Sequence, residues 1–310
     1  METVNCNYCN AENSVHIFTL PDSLLEREDI LTDFVRCQTC GLIYQNPRPS
    51  LDEMQEHYPP EYDSYPEDLT DKKIPWLLRK AYAYGVTKRV RVVTRRKKSG
   101  KLLDIGCATG TFLLGMKKQA GWETMGIEIS PHAAAIARKH HLDVFTGTLE
   151  DANFPAAEFD AVTLWDVLEH LHDPAGSLRE IHRVLKPGGV IVIRVPNVAS
   201  WDASWFGAAW AGWDAPRHLY VFSPNTLEKM LAASGFQVED INCSIGSYPT
   251  FVLSVRFWLY RKGVAPEKRD KIIKFLYHPF SRILSAPLFY LLGLQARGPL
   301  ITVTAVKKVN

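Results

Sequence analysis

The chain has 310 residues, 46% of them hydrophobic and 23% charged, which suits a soluble globular protein of about two domains and excludes disorder as the main state. Lys and Arg number 36 against 34 Asp and Glu, so the formal balance of +2 provides no global field for nucleic acid. The first 71 residues carry 15 acids and three arginines, a local charge of −12, which makes the N-terminal part a poor reader of DNA or RNA.

The opening residues Met1 to Cys9 contain neither a basic stretch nor an apolar run, so no secretory leader is expected and a cytoplasmic, reducing setting follows. Cys6 and Cys9 form one C-x2-C unit, and Cys37 and Cys40 form a second. Two residues between cysteines let both thiolates reach one ion about 2.3 Å away, and two such turns close a tetrahedron without an open position. The expectation is a structural Zn2+ in a small ribbon, with Gly41 supplying the permissive backbone of the second knuckle. Two unrelated redox or buried thiol pairs are the alternative. A module this small cannot bury enough surface to fold alone, so the metal is expected to supply much of its stability. Cys243, like Cys107, has no ligand partner nearby and reads as a small apolar residue.

From Pro47 to Asp71 the chain is rich in Pro, Tyr and acids and reads as a connector. A helix follows from about Pro75 to Val93, and its end, Lys88 to Lys101, carries eight basic residues and no acid, the pattern of a solvated helix face. After Gly100 short apolar strands alternate with helices. Strands are expected at Lys101 to Ile105, Thr124 to Ile129, Leu142 to Phe145, Asp160 to Leu164 and Val190 to Val195, with helices at Thr109 to Ala120, Pro131 to His140 and Pro174 to Leu185. A further helix, Pro224 to Ser234, and strands at Phe236 to Asn242 and Leu300 to Val306 complete the pattern. Repeated βαβ units predict an α/β fold, a parallel sheet covered on both faces. The domain division is a ribbon module over 1–47, an acidic connector and helix over 48–98, and an α/β core over 99–310.

In such a sheet ligands sit beyond the carboxyl ends of the strands, where Asp104-Ile105-Gly106-Cys107-Ala108-Thr109-Gly110 crosses that edge. Gly106 and Gly110 permit a turn close to a ligand. A carboxylate at Asp104 would repel a pyrophosphate but suits a cationic amino-acid group, and Glu128 at the next strand end can accept both hydroxyls of a ribose. An adenosine with a positively charged tail meets both demands.

The blocks LLDIGCATG, GIEIS, FDAVTLWDVLEHLHDP, RVLKPGG and PRHLYVFSPNTL together resemble the class I S-adenosylmethionine-dependent methyltransferases, in particular small-molecule enzymes with an N-terminal zinc knuckle. That resemblance implies a Rossmann-like seven-stranded sheet whose last strand is antiparallel. It also implies that Asp104 and the turn Gly106, Cys107 to Gly110 hold the methionine part and that Glu128, with its neighbour Ile129, holds the ribose. Thr148 and Leu149 fall at the adenine position, and Asp166 and Val167 edge the cleft. Ala108 replaces a frequent glycine, and Thr148 stands where many relatives carry an acid.

Methyl transfer is an in-line displacement, so a base must take the proton of the acceptor. His218, on the segment 197–223 expected to close over the substrate as a lid, is the first candidate, with Arg217 beside it to orient an anionic or polyhydroxyl acceptor and His170 as the second candidate base. Structural hydrogen bonding is the competing role for both histidines. Trp201, Trp205, Trp210 and Trp213 suit a sugar, an aromatic ring or a prenyl chain, and equally an ordinary hydrophobic cap. No Asn/Asp-Pro-Pro-Tyr and no Pro-Cys nucleophile is present, which favours a hydroxyl of a glycan, glycolipid or isoprenoid-type molecule over a nucleobase. A noncatalytic scaffold and a zinc-ribbon RNA methyltransferase are the alternatives.

Before the last strand lies an insertion, 246–297. Arg256 to Arg297 holds nine basic residues against two acids, and the uncharged run Ile283 to Ala296 is below the ~20 residues that span a bilayer. A basic amphipathic segment of this kind is expected to lie on an anionic membrane surface, giving a peripheral placement at the inner membrane face, or else to pack on the core or on a second copy. Pro279 and Pro287 are expected to break it into short helices.

Overall fold

Between the two cysteine pairs the chain builds an antiparallel hairpin, β1 (Ser14–Asp22) and β2 (Arg27–Cys37), followed by the short β3 (Ile43–Gln45). The computed structural model describes residues 1–58, 76–243, 247–294 and 297–308, so most of the expected connector lies outside the described residues. Helix α1 (Leu51–Met54) starts with a capping box in which Ser50 and Glu53 satisfy each other's backbone N–H. Helix α2 (Trp76–Arg96) then leads to the main sheet.

That sheet takes the expected form. In chain order come β4 (Gly100–Ile105), α3 (Thr111–Lys117), β5 (Trp122–Glu128), α4 (Pro131–Lys139), β6 (Asp143–Thr146), α5 (Leu149–Ala152), β7 (Phe159–Trp165), α6 (Pro174–Val184) and β8 (Leu185–Pro196). After α7 (Trp201–Phe206), β9 (Tyr220–Val221), α8 (Pro224–Ala233) and β10 (Phe236–Asn242) come the inserted helices α9 (Ser247–Arg261), α10 (Pro266–Tyr277) and α11 (Pro279–Leu294), and then β11 (Leu300–Lys307). The seven strands run in the order β10-β11-β8-β7-β4-β5-β6, and β11 pairs antiparallel with both β8 and β10. Central residues such as Leu102, Leu103, Val162 and Ile191 are fully buried, as strands covered on both faces require. Local chemistry sets the helix starts: Ser130, Asp173 and Ser223 each cap a helix whose first residue is Pro.

Two departures concern the ends of the chain. Strand β3 continues into a second sheet, β1-β2-β3-β9, because Ile43 and Tyr44 pair antiparallel with Val221 and Tyr220 of the lid segment. The ribbon is thereby stitched to the core. Pro287 does not break the insertion as expected but sits inside a continuous α11. It is exposed there, so the carbonyl left without a donor is open to water.

Candidate active site

The turn after β4 closes tightly against the segment after β7. Gly106 adopts φ +68°, and a Cβ there would lie 2.5 Å from Val167 Cγ2, so only glycine fits. Gly110 (φ +78°) opens α3, and Ala108 adopts φ +50°, a strained value for a residue with a side chain. The Ala108 strain is offset locally: its N–H donates to Glu128 Oε2 (2.8 Å), while Glu128 Oε1 accepts from the Ser130 N–H (2.8 Å). Glu128 is thus buried at the tip of β5 with its carboxylate aimed across the turn, and Ile129 beside it is 69% exposed.

Asp104 lies deeper than its place near the strand tip suggests. It is 2% exposed, and Oδ1 accepts from the Thr163 hydroxyl (2.6 Å). Burial pushes its carboxyl up to about 7, against the lowering influence of Thr163 and of the Arg89 guanidinium; nearby Glu128 adds to the rise. Cys107 is buried under the turn and its thiol is likewise pushed up by burial, with no sign of a reactive thiolate. Thr148 caps α5 through a reciprocal pair with Asp151: its hydroxyl and N–H both donate to the carboxylate, and its oxygen accepts from the Asp151 N–H. That side chain is committed to the backbone turn. Leu149 is buried in the core.

Sequence reasoning treated Lys88 to Lys101 as one solvated face, and for most of it that holds. Arg89 departs from it. Its guanidinium lies 5.7 Å from the centre of the Trp165 ring, and Arg194 lies 5.7 Å from the same ring. Arg194 grips Asp166 through two bonds, Nε to Oδ1 at 2.8 Å and Nη2 to Oδ2, and Asp166 itself has φ +61°. Burial, with Arg194 nearby, lowers Arg89 to about 10 despite Asp166 and Asp104. Arg89 and Arg194 thus both reach Trp165, and Arg194 pairs with Asp166, at the carboxyl end of β7, while Asp104 lies buried near the end of β4. The residue types are visible in the sequence, but the inward turn of Arg89 is not.

On the lid side, His170 and His218 meet edge to face with ring centres 4.7 Å apart. His170 Nδ1 lies 3.0 Å from the Arg217 carbonyl and 3.1 Å from the Tyr58 hydroxyl; because the carbonyl can only accept, Nδ1 carries the proton and Nε2 keeps a lone pair. His218 Nδ1 donates to the Gly212 carbonyl (2.9 Å), which leaves Nε2, 3.9 Å from Asp214 Oδ2, as the nitrogen able to accept a proton in the neutral ring. Burial, then His218, lowers His170 to about 4. Glu169, beside His170, is fully buried, and neither carboxylate oxygen has a hydrogen-bond partner among the described residues. Burial and the nearby Asp166 raise its carboxyl well above the usual range. Ligand-capable atoms of Glu169, His170 and His218 all lie within 4.8 Å of one another.

Arg217 does not do what its neighbourhood suggested. Its side chain is 0% exposed, with Nη1 and Nη2 donating to Asp22 (3.0 and 2.7 Å) and Nη2 also to Asp214 (2.8 Å). An arginine so engaged cannot orient an acceptor; it fastens the lid to β1. Gln45 reinforces that joint by donating to the carbonyls of Pro216 and His218, both at 2.8 Å. The tryptophans divide: Trp210 and Trp213 are buried, Trp213 against Phe18 and Phe34 of the ribbon hairpin at 5.4 and 5.0 Å, whereas Trp205 is 73% exposed.

The four ribbon cysteines converge. Cys6 and Cys40 sulfurs are 3.4 Å apart, Cys9 and Cys37 sulfurs 3.5 Å, and all four lie within 4.8 Å of one another. A tetrahedron with sulfur about 2.3 Å from a central ion has edges of about 3.8 Å, so this donor set fits Zn2+.

A family described as a methyltransferase domain matches residues 78–241, just over half of the chain. The ubiquinone biosynthesis O-methyltransferase of Pseudomonas aeruginosa is 32% identical over 156 residues, 46% of this chain and 66% of that protein. The demethylmenaquinone methyltransferase of Chlorobaculum tepidum is 29% identical over 168 residues, 51% of this chain and 64% of its own length. The chain thus spans a little under two thirds of these curated relatives. A solved methyltransferase structure from Galdieria sulphuraria superposes with a TM-score of 0.50 at 15% identity, covering 74% of this chain and 86% of that one, and supports the fold alone.

Proposed function

The chain belongs to the methyltransferase domain family, and from that premise we propose that it transfers a methyl group from S-adenosylmethionine to a hydroxyl of an isoprenoid-type small molecule, working at the cytoplasmic face of a membrane. The observation that carries this reading is the contiguity of the two halves of the site. One short segment joins them: Val167, just after β7, packs against Gly106 of the turn after β4, and three residues on His170 meets His218 of the lid at 4.7 Å. That proximity supports reading cofactor cleft and candidate base as one site.

Glu128 and the Gly106 to Gly110 turn would hold the nucleoside and its amino-acid tail, with Asp104 beneath them. When bound, the cofactor supplies an electrophilic methyl group on a sulfonium. The residues of this chain do the rest: His218 Nε2 accepts the hydroxyl proton as the acceptor oxygen attacks, the Gly212 carbonyl holds the ring in that tautomer, and Asp214 stabilises the imidazolium. Among the candidate acceptors, the isoprenoid class draws support from the two quinone-pathway relatives. No helix among the described residues is long and apolar enough to cross a membrane.

The test is formation of S-adenosylhomocysteine with isoprenoid phenols and with extracted lipids as acceptors. Cofactor binding without turnover across hydroxyl acceptors would overturn the enzymatic reading. In the same assay Glu128→Ala is expected to weaken cofactor binding by about tenfold to a hundredfold, because each charge-assisted hydrogen bond contributes about 1.5–3 kcal/mol and the exchange for water is incomplete. Unchanged affinity by calorimetry removes Glu128 from the ribose role.

A pH dependence arises from Asp104. A cationic ligand binds its ionised form better; below about 7 the carboxyl is mostly protonated, so affinity should rise as pH climbs from 5.5 to 7 and level off above. Calorimetry in buffers of different ionisation enthalpy should show proton release on binding near pH 6. Flat affinity across that window, with no proton release, places the cationic group away from Asp104.

A further inference from the structure

The inserted helices carry an apolar surface that the described core does not cover. Along α11, Phe280, Ile283, Leu284, Leu288, Tyr290 and Leu291 are 50% to 74% exposed and recur at helical spacing, so they form one outward stripe. The opposite side of the same helix is the packed one. Phe289 meets Phe251 of α9 at 5.4 Å and Trp201 at 5.8 Å, and the Trp201 N–H donates to the Arg297 carbonyl at 3.1 Å. Trp201 begins α7 within the lid segment, a few residues after β8. The stripe is thus the outer surface of a helix whose inner side packs on the start of the lid.

Charge flanks the stripe. Lys268, Lys271 and Lys274 of α10 and Arg282 of α11 are exposed, against exposed Glu267 and Asp270. Arg269 is the exception, buried and bound to Glu26 at 2.9 Å, which anchors α10 to the ribbon hairpin and leaves the other cations facing outward.

We propose that α10 and α11 dock the protein on the surface of an anionic lipid bilayer, with the α11 stripe entering the headgroup boundary and the α10 lysines meeting lipid phosphates. Charge complementarity selects this occupant. A second copy would bring the same cations into apposition, whereas an anionic headgroup layer satisfies the lysines and the apolar stripe together. The docking deepens the acceptor reading above and rests on it for one step: the lipid contact would bring a membrane-borne acceptor to the end of the lid that packs on α11 through Trp201.

Co-sedimentation of the full, metal-replete chain with vesicles of phosphatidylglycerol and phosphatidylcholine tests it. Binding is expected with anionic vesicles, weakened by high salt and at least tenfold lower on pure phosphatidylcholine. Ile283→Glu/Leu284→Glu should lose at least tenfold in vesicle binding while keeping cofactor affinity and turnover on a water-soluble short-chain acceptor, since both residues are already solvent-facing. Lys271→Glu/Lys274→Glu, which leaves the stripe intact, should lose anionic preference alone. Absence of vesicle binding by the wild type, binding indifferent to both variants, or a concentration-dependent dimer that Ile283→Glu dissolves would each overturn the proposal. Vesicle binding is read without any acceptor, so its outcome is separate from that of the methyl-transfer assay.

Discussion

Replacing His218 with Ala is expected to lower turnover by about 10²- to 10⁴-fold while leaving cofactor affinity nearly unchanged, the magnitude ordinarily lost with a positioned general base. His218 is the stronger of the two candidate bases on physical grounds. His170, lowered to about 4 by burial and by His218, holds a proton too weakly to draw one from a hydroxyl near neutral pH. Its ring instead packs against His218 and fixes that ring's position. Glu169→Gln separates the roles further. Among the described residues this carboxyl has no hydrogen-bond partner to lose, and the amide keeps its size; a fall in turnover with a changed pH profile would mark a group that shares the proton, and an unchanged profile would leave it with packing alone. Full rate in His218→Ala removes the base assignment altogether.

If the four ribbon cysteines hold Zn2+, removing it by a chelator or by Cys37→Ser is expected to cost turnover about a hundredfold or more even though no ribbon cysteine lies in the cleft. The link is mechanical. Strand β3 ends the ribbon and pairs with β9, Gln45 holds the carbonyls of Pro216 and His218, and Asp22 of the hairpin meets Arg217 in a pair with neither side chain exposed. Without the metal the small module has little reason to stay folded, and a displacement of about 1 Å at a catalytic group can cost about 10²-fold. Near-ultraviolet circular dichroism gives a readout independent of activity, because Trp213 packs on Phe18 and Phe34 of the hairpin and should lose its signal along with the zinc. Arg217→Ala reproduces the damage from the other side: it removes the tie between lid and hairpin, but Arg27 still pairs with Asp22, so the loss should fall below the about 3–5 kcal/mol of a fully broken buried pair. A metal-stripped protein with native tryptophan signal and full turnover would show that the ribbon is an independent appendage.

The sheet was largely legible in the sequence because its determinants are local. Apolar strands of four to seven residues, Ser or Asp caps followed by Pro, and glycines at the turn after β4 report the backbone directly, and Pro279 ended one helix as expected. Pro287 misled, since whether a proline breaks a helix depends on whether the freed carbonyl reaches water. The four cysteines were equally legible, their spacing being a property of the chain itself.

The electrostatics of the cleft were not. Asp104, Arg89, Arg217 and Glu169 are ordinary charged residues in the sequence, and each owes its role to surroundings far away in the chain: Thr163 and burial for Asp104, Trp165 for Arg89, Asp22 for Arg217, and burial without a hydrogen-bond partner among the described residues for Glu169. Spacing along the chain fixes which backbone conformations are open and which donors can share an ion. Desolvation and pairing depend on distances that exist only once the sheet, the lid and the ribbon hairpin have packed together, so only the tertiary structure decided which charges hold the molecule together and which remain available for chemistry.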